Sequence, residues 1–171
     1  MLIMGYTTRE HLLLDLDETT FLKAVSLAEQ IQQSWPCVGD CLILQSSIPS
    51  KKSYLKYDEN GRPWEKWVYQ NYHLVFNNYI GYDKSVAIID TLVGLDALQP
   101  EYKEIRLFRG DMTLRVSPKW LTHRTIPSPT TKLYLPNGES TENDKGIKNY
   151  VAVLKATKQL FFGTLNSQKS A

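Results

Sequence analysis

His11-Leu12-Leu13-Leu14-Asp15-Leu16-Asp17-Glu18-Thr19-Thr20 is the stretch on which the fold turns. Three consecutive leucines predict a short buried strand. Two carboxylates follow at i and i+2. Alternate residues of a strand project from the same face, which sets Asp15 beside Asp17. Like charges held that close repel. A divalent cation removes the cost, because hard Mg²⁺ is commonly held by one or two carboxylates together with substrate phosphates. The stretch therefore predicts a metal–phosphate site at a strand end. The alternative for an isolated Asp-x-Asp is that one carboxylate faces solvent and the other caps the next helix.

Working outward, Thr19 or Thr20 can cap a helix by accepting an N–H of its first turn. Phe21, Leu22, Val25, Ala28, Ile31 and Gln32 follow helical spacing, so a helix is expected from about Thr20 to Ser34, stopping before Pro36. Asp40 to Gln45 reads as a second buried strand and Tyr69 to Phe76 as a third, with His73 inside it. A lone histidine in a strand is more often a satisfied half-buried residue than a catalytic one. Asp83 to Leu95 predicts a helix capped by Asp83 and closed by Gly94. Glu104 to Arg109 alternates in polarity and reads as a fourth strand, and Thr113 to Ser117 as a fifth, around the turn Gly110-Asp111. That places Arg109, Arg115 and Lys119 around one turn, where guanidinium forks can clamp phosphates. From Trp120 to Asn143 the chain reads as a long connection with one short strand at Lys132–Leu135. A last helix is expected from Asp144 to Phe162, with Gly163 as its stop.

Between the second and third strands, Asn60-Gly61 is a strong hairpin signal. Lys51, Lys52, Lys56, Arg62 and Lys66 alternate there with Tyr54, Tyr57, Trp64 and Trp67. Basic groups meet phosphates and aromatic faces stack on bases, so this ribbon is a candidate nucleic-acid contact. An ordinary exposed hairpin with cross-strand aromatic pairs reads the same way.

Composition bounds these readings. The chain has 171 residues, 42% apolar and 22% charged, with a net charge of +2. This is the make-up of one globular domain, expected over 1–171, with a core at about 10–120, a hairpin insertion at about 50–70 and a C-terminal loop and helix over 121–171. The near-neutral charge neither demands nor excludes nucleic acid. No apolar run reaches the ~20 residues that span a bilayer. Met1 to Glu10 has no signal-peptide character, and the expectation is a cytoplasmic protein without a membrane partner. Cys37 and Cys41 lack the further ligands of a zinc site and read as free thiols.

Taken in order, these pieces resemble the archaeo-eukaryotic primase superfamily, which includes primases and primase-polymerases. Leu14-Asp15-Leu16-Asp17 matches its hydrophobic-Asp-hydrophobic-Asp strand. Asn71-Tyr72-His73-Leu74-Val75-Phe76 resembles its histidine-bearing strand. Arg106-Leu107-Phe108-Arg109, the turn Gly110-Asp111-Met112, Thr113-Leu114-Arg115 and Lys119 resemble its last signature. The likeness covers roughly residues 10 to 120. Arg115 stands where the family usually has a histidine. The 48–70 hairpin separates the histidine from its usual serine, which Ser46 or Ser47 would supply. The family's third acid lies at a nearby offset, with Glu104, Asp96 and Asp111 as the candidates.

The resemblance implies an α+β, RRM-like, mixed or antiparallel sheet flanked by helices. It implies a template-dependent nucleotidyltransferase of DNA replication that binds NTP or dNTP and single-stranded DNA, alongside a separately encoded helicase. It also implies Mg²⁺ or Mn²⁺ held by Asp15, Asp17 and Glu104 as catalytic carboxylates. His73, Ser46, Arg109, Arg115 and Lys119 would bind the nucleotide, with the template near Lys51, Lys52, Lys56, Arg62 and Lys66. Two other readings share the same residues. Asp15-Leu16-Asp17-Glu18-Thr19 also resembles the first motif of haloacid-dehalogenase-type phosphatases, with Asp15 as nucleophile and Asp17 as acid/base. A non-catalytic module would use the same cations to bind a nucleotide or single-stranded nucleic acid.

Overall fold

The computed structural model describes residues 4–47, 60, 70–121, 124–126 and 128–169. Apart from Asn60 and Gln70, the expected hairpin lies outside the described residues, and so do Lys51, Lys52, Lys56, Arg62 and Lys66. In chain order the elements are β1 (Gly5–Thr8), β2 (Leu13–Thr19), α1 (Phe21–Ser34), a 3-10 turn (Pro36–Val38), β3 (Cys41–Ser47) and β4 (Gln70–Phe76). There follow α2 (Tyr82–Gly94), α3 (Pro100–Arg109), β5 (Met112–Arg115), β6 (Lys119–Leu121), β7 (Arg124–Ile126), β8 (Thr130–Leu135) and α4 (Gly146–Lys169). The architecture is α+β. Four strands form one sheet in the order β2-β4-β3-β8, every pair antiparallel. The run β2-α1-β3-β4-α2, with β4 between β2 and β3, is a split β-α-β-β-α unit. β1 pairs with β5, and β6 with β7, outside that sheet. Among the described residues no helix is long and apolar enough to cross a membrane.

β2 is buried on both faces up to Leu14, so its leucines run without alternation. On one side of the sheet α1 packs, and Phe21 meets Tyr72 with ring centroids 5.9 Å apart. The Thr20 hydroxyl accepts the Lys23 amide at 3.1 Å, the expected cap. The face of α1 that is buried carries Ala24, Ala28, Ile31 and Gln32, while Leu22 is 78% exposed, so the helix is rolled away from the stripe expected from spacing. α4 and β5 lie on the sheet's other side. Cys37 and Cys41 are free thiols, as expected.

Three expectations are corrected. Glu104–Arg109 is not a strand but the second half of α3. Pro100 sits in its first turn with Glu101, Arg106 and Arg109 complement its C-terminal end, and Gly110 closes it with a left-handed φ of 70°. The apparent alternation was not a buried face, since Ile105, Leu107 and Phe108 are all exposed. Next, α4 continues past Gly163 to Lys169; one interior glycine costs only about 1 kcal/mol against alanine. Last, the residue that caps α2 is Gly81, which has no side chain to do so, and Asp83 lies in the first turn instead.

The turn Asn77-Asn78 at the end of β4 fixes the start of α4. The Asn77 side-chain oxygen accepts the Ile147 amide (3.1 Å), its NH₂ donates to the Asp144 carbonyl (3.2 Å), and its own carbonyl accepts the Gly146 amide (3.1 Å). Asn78 donates to the Glu139 carbonyl at 3.1 Å. The approach is so close that a Cβ on Gly146 would lie 2.7 Å from the Asn77 carbonyl oxygen and 2.8 Å from the His11 ring. His11 is fully buried in this corner. Its Nδ1 lies 2.7 Å from the Phe76 carbonyl, so that nitrogen carries the proton, and Nε2 accepts the Tyr6 hydroxyl at 2.9 Å.

Burial lowers the pKa of His11 from 6.5 to about 4. The folded state therefore binds fewer protons than the unfolded state between those values. Stability is full above about pH 6.5 and falls as pH drops toward 4. Urea unfolding at pH 7 and pH 5 should show a loss of about 2 kcal/mol traceable to this residue. The His11→Gln variant should lack that component, and an unchanged pH dependence in it would show that His11 is not the titrating group.

Candidate functional site

The register of the sheet sets Asp15 directly opposite His73 on neighbouring antiparallel strands. Directly opposed residues share a face. Asp15 Oδ1 lies 3.5 Å from His73 Nε2. On its other side, His73 Nδ1 lies 3.1 Å from the Tyr150 hydroxyl of α4. The imidazole is 1% exposed, whereas the Asp15 side chain is 38% exposed. Burial, then the guanidiniums of Arg115 and Arg106, push the His73 pKa down to about 3. The ring is therefore neutral, and its 3.5 Å approach to Asp15 is not a pairing of two full charges. A carboxylate only accepts, so Nε2 carries the proton and Nδ1 accepts from Tyr150. Burial likewise raises the Tyr150 pKa and keeps the hydroxyl protonated.

Arg115, at the end of β5, joins this cluster. Its guanidinium donates to the carbonyls of Ser46 and Ser117, and it interacts electrostatically with Asp15 and Tyr150. Ser46 is buried where β3 bulges against β4, and its backbone carbonyl reaches Arg115.

β2 is an edge strand of this sheet, yet one amide and one carbonyl of its outer side are not open. The Tyr102 hydroxyl accepts the Asp15 amide at 2.9 Å and donates to the Leu13 carbonyl at 3.2 Å. One phenol on α3 thus takes the place of a neighbouring strand. Arg106, one turn on, donates to that same hydroxyl at 3.1 Å and stacks on the Tyr102 ring with its guanidinium carbon 4.8 Å from the centroid. Beyond Leu16 the pairing slips, and Glu18 adopts a positive φ of 47° while its amide donates to the Asn71 side chain at 2.8 Å. Strained backbone of this kind clusters at working sites. Outside this edge lies a cleft of about 740 Å³ between α1, β2 and the start of α3, lined by Asp15, Asp17, Glu18, Lys23, Asp96 and Glu101 among others.

The structure thus brings Asp15, His73 and Arg115 together with the Ser46 carbonyl, and sets Asp17 in the same cleft as Asp15. Glu104 is not with them: it lies exposed on α3 and does not line the cleft. Asp96 does line it. Arg109 is exposed at the end of α3, 3.9 Å from Asp111, which also accepts from Thr113. Lys119 begins β6, and its side chain is outside the described residues. Among the described residues no group of three or more His, Cys, Asp or Glu could hold a metal ion. Three residues of the cluster escaped sequence reading: Tyr102, Arg106 and Tyr150. The Pro100–Gly110 helix signature could have found the first two.

No protein-family model, no curated protein and no solved structure matches this chain.

Removing the Tyr102 hydroxyl leaves the Asp15 amide and Leu13 carbonyl without their partner. Tyr102→Phe should cost about 1–3 kcal/mol in urea unfolding and speed hydrogen exchange at the Asp15 amide. Undiminished protection of that amide would mean that something other than the phenol closes the edge.

Proposed function

We propose that this chain is a primase-like nucleotidyl-transfer domain that binds a nucleoside triphosphate between Asp15 and Arg115. One observation carries the reading. Asp15, His73 and Arg115, which stand nearly 60 and then about 40 residues apart in sequence, meet on one face of the sheet. They do so in the order that the primase resemblance requires.

Asp15 and Asp17 fit one Mg²⁺ or Mn²⁺ shared with the phosphates of a nucleotide, the mode in which such ions are usually bound. They do not form an all-protein centre for two ions, since Glu104 is elsewhere. When bound, the ion would neutralise phosphate charge and favour ionisation of an attacking hydroxyl.

The chain's own residues supply the rest. Arg115 is anchored by two carbonyls and would present a fixed positive charge to the phosphates. His73 has both ring nitrogens engaged, so it positions the Asp15 carboxylate and does not itself touch the nucleotide. Tyr150 holds the imidazole in the tautomer that this requires. The acidic cleft beside Asp17 repels bare phosphate and admits the metal-bound end of the ligand.

The test is incorporation of a labelled nucleotide on a single-stranded DNA template with Mn²⁺ or Mg²⁺. Wild-type protein should incorporate, Asp15→Ala and Asp17→Ala should lose about 100-fold or more, and Arg115→Ala should raise KM. Incorporation indifferent to Asp15→Ala overturns the proposal. So does retardation of single-stranded DNA without any incorporation, which would identify a binding module. Phosphate release from p-nitrophenyl phosphate that is lost in Asp15→Asn would identify a phosphatase instead.

A further inference from the structure

We infer that the outer face of α3 is a docking surface for a basic amphipathic helix of a partner protein. α3 is turned the opposite way from a helix that packs on an apolar core. Its one buried side chain is a charged one, Arg106, 7% exposed. Ile105 and Leu107, on either side of it, are exposed, and Phe108 is 93% exposed. Ile105 and Phe108 stand three apart and so lie side by side on the helix. One apolar side chain in water needs no explanation, but a cluster of this size with the arginine inside marks an interaction surface.

The orientation of α3 is fixed by polar contacts along its length. The Tyr102 hydroxyl bonds the Asp15 amide and the Leu13 carbonyl. The Arg106 carbonyl accepts the Tyr82 hydroxyl at 3.0 Å, the Gly110 carbonyl accepts from Arg9, and Lys103 pairs with Asp90. Rolling the helix to turn Ile105 and Phe108 inward would break these contacts and swing Arg106 outward. The fold therefore holds the apolar residues in water, and a partner that covers them removes that area from water.

Charge selects the partner. Glu101 and Glu104 are exposed one turn before Ile105 and Phe108, on the same side of the helix. Glu101 and Ile105 also line the cleft, where Asp17, Glu18 and Asp96 add carboxylates and Lys23 is the one cation among the described lining residues. The other cations of α3 are engaged, Lys103 with Asp90 and Arg109 at 3.9 Å from Asp111. This side of the molecule is thus acidic in a chain whose net charge is +2. A second copy of the chain would bring the same carboxylates to the contact, and an anionic membrane would bring phosphates, so both meet repulsion. A helix with an apolar stripe flanked by Lys or Arg meets both features at once. Its apolar residues cover Ile105 and Phe108, and its cations reach Glu101 and Glu104. Docking of this kind does not require nucleotidyl transfer.

The probe is a labelled synthetic helix of about 18 residues built from Leu and Lys, with the leucines on one stripe. It is titrated into the full chain and followed by fluorescence anisotropy and by amide chemical shifts. It should bind, shift the amides of residues 101–109, and bind more weakly as salt is raised. Phe108→Ser should weaken binding about tenfold. The same variant should unfold at the wild-type temperature or above it, because the ring is in water. Reversing the charge in the double variant Glu101→Lys/Glu104→Lys should also weaken binding and flatten its salt dependence. A helix with Glu in place of Lys should not bind. Absence of binding, or equal binding to wild type and Phe108→Ser, overturns the proposal. A large loss of stability in Phe108→Ser would assign the ring to the core and overturns it as well. Two further outcomes would replace the partner helix by another occupant. Binding to phosphatidylserine vesicles, lost in Phe108→Ser and unaccompanied by helix binding, would make the face a membrane contact. Self-association lost in Phe108→Ser, again without helix binding, would make it an interface between copies.

Discussion

The contact between Asp15 and the buried, neutral imidazole of His73 is the constraint on which the arrangement of this sheet face depends. The cross-strand register makes it possible, because β2 and β4 hold the two side chains opposite each other. The neutral ring then needs a donor for its second nitrogen. Tyr150 meets that need only if α4 crosses the sheet at the right height. The Asn77 and Asn78 contacts set that height by gripping the chain just before and inside the first turn of α4. A small polar row on one face of the sheet thus determines where the longest helix lies.

The open edge of β2 imposes the second constraint. Exposed strand edges invite pairing with other chains, and folds usually cover them or interrupt them. Here a helix follows α2 where another strand could have been added, and a single phenol satisfies one amide and one carbonyl of the edge. That leaves room outside the edge for a cleft, which a fifth strand would have filled. The amide that Tyr102 holds belongs to Asp15 itself. Closure of the edge and placement of the candidate carboxylate are therefore the same contact.

Much of this was legible in the sequence. The Leu-Asp alternation located β2, and Thr20 with Pro36 bounded α1, because strand runs and helix caps are local signals. Asp15 and His73 stood out for the same reason, each a polar residue inside an apolar run. α3 was misread because Ile105 and Leu107 alternate with arginines as a half-buried strand would. Their exposure shows that the pattern served no buried face, and the deciding signals were Pro100 at one end and Gly110 at the other. With Glu104–Arg109 read as a strand, neither Arg106 nor Tyr102 was placed beside Asp15. Tyr150 lay beyond sequence reasoning for another reason: its partner is 77 residues away, and only the docking of α4 makes it part of the site.

The distribution of charge about Asp15 bears on the ligand proposed above. Outside the strand, carboxylates from β2, the α2–α3 connection and α3 line the cleft. Inside, the guanidiniums of Arg115 and Arg106 act on a buried imidazole. Asp15 lines the cleft and lies beside the imidazole. A purely anionic ligand would meet repulsion at the mouth, and a purely cationic one would meet it further in. A ligand that is itself divided, with metal charge at one end and bare phosphate oxygens at the other, meets attraction along its whole length. The depressed basicity of His73 belongs to the same arrangement. A protonated ring would add a third positive charge to those of Arg115 and Arg106. The neutral ring can still direct its one N–H toward Asp15 and hold the carboxylate in place.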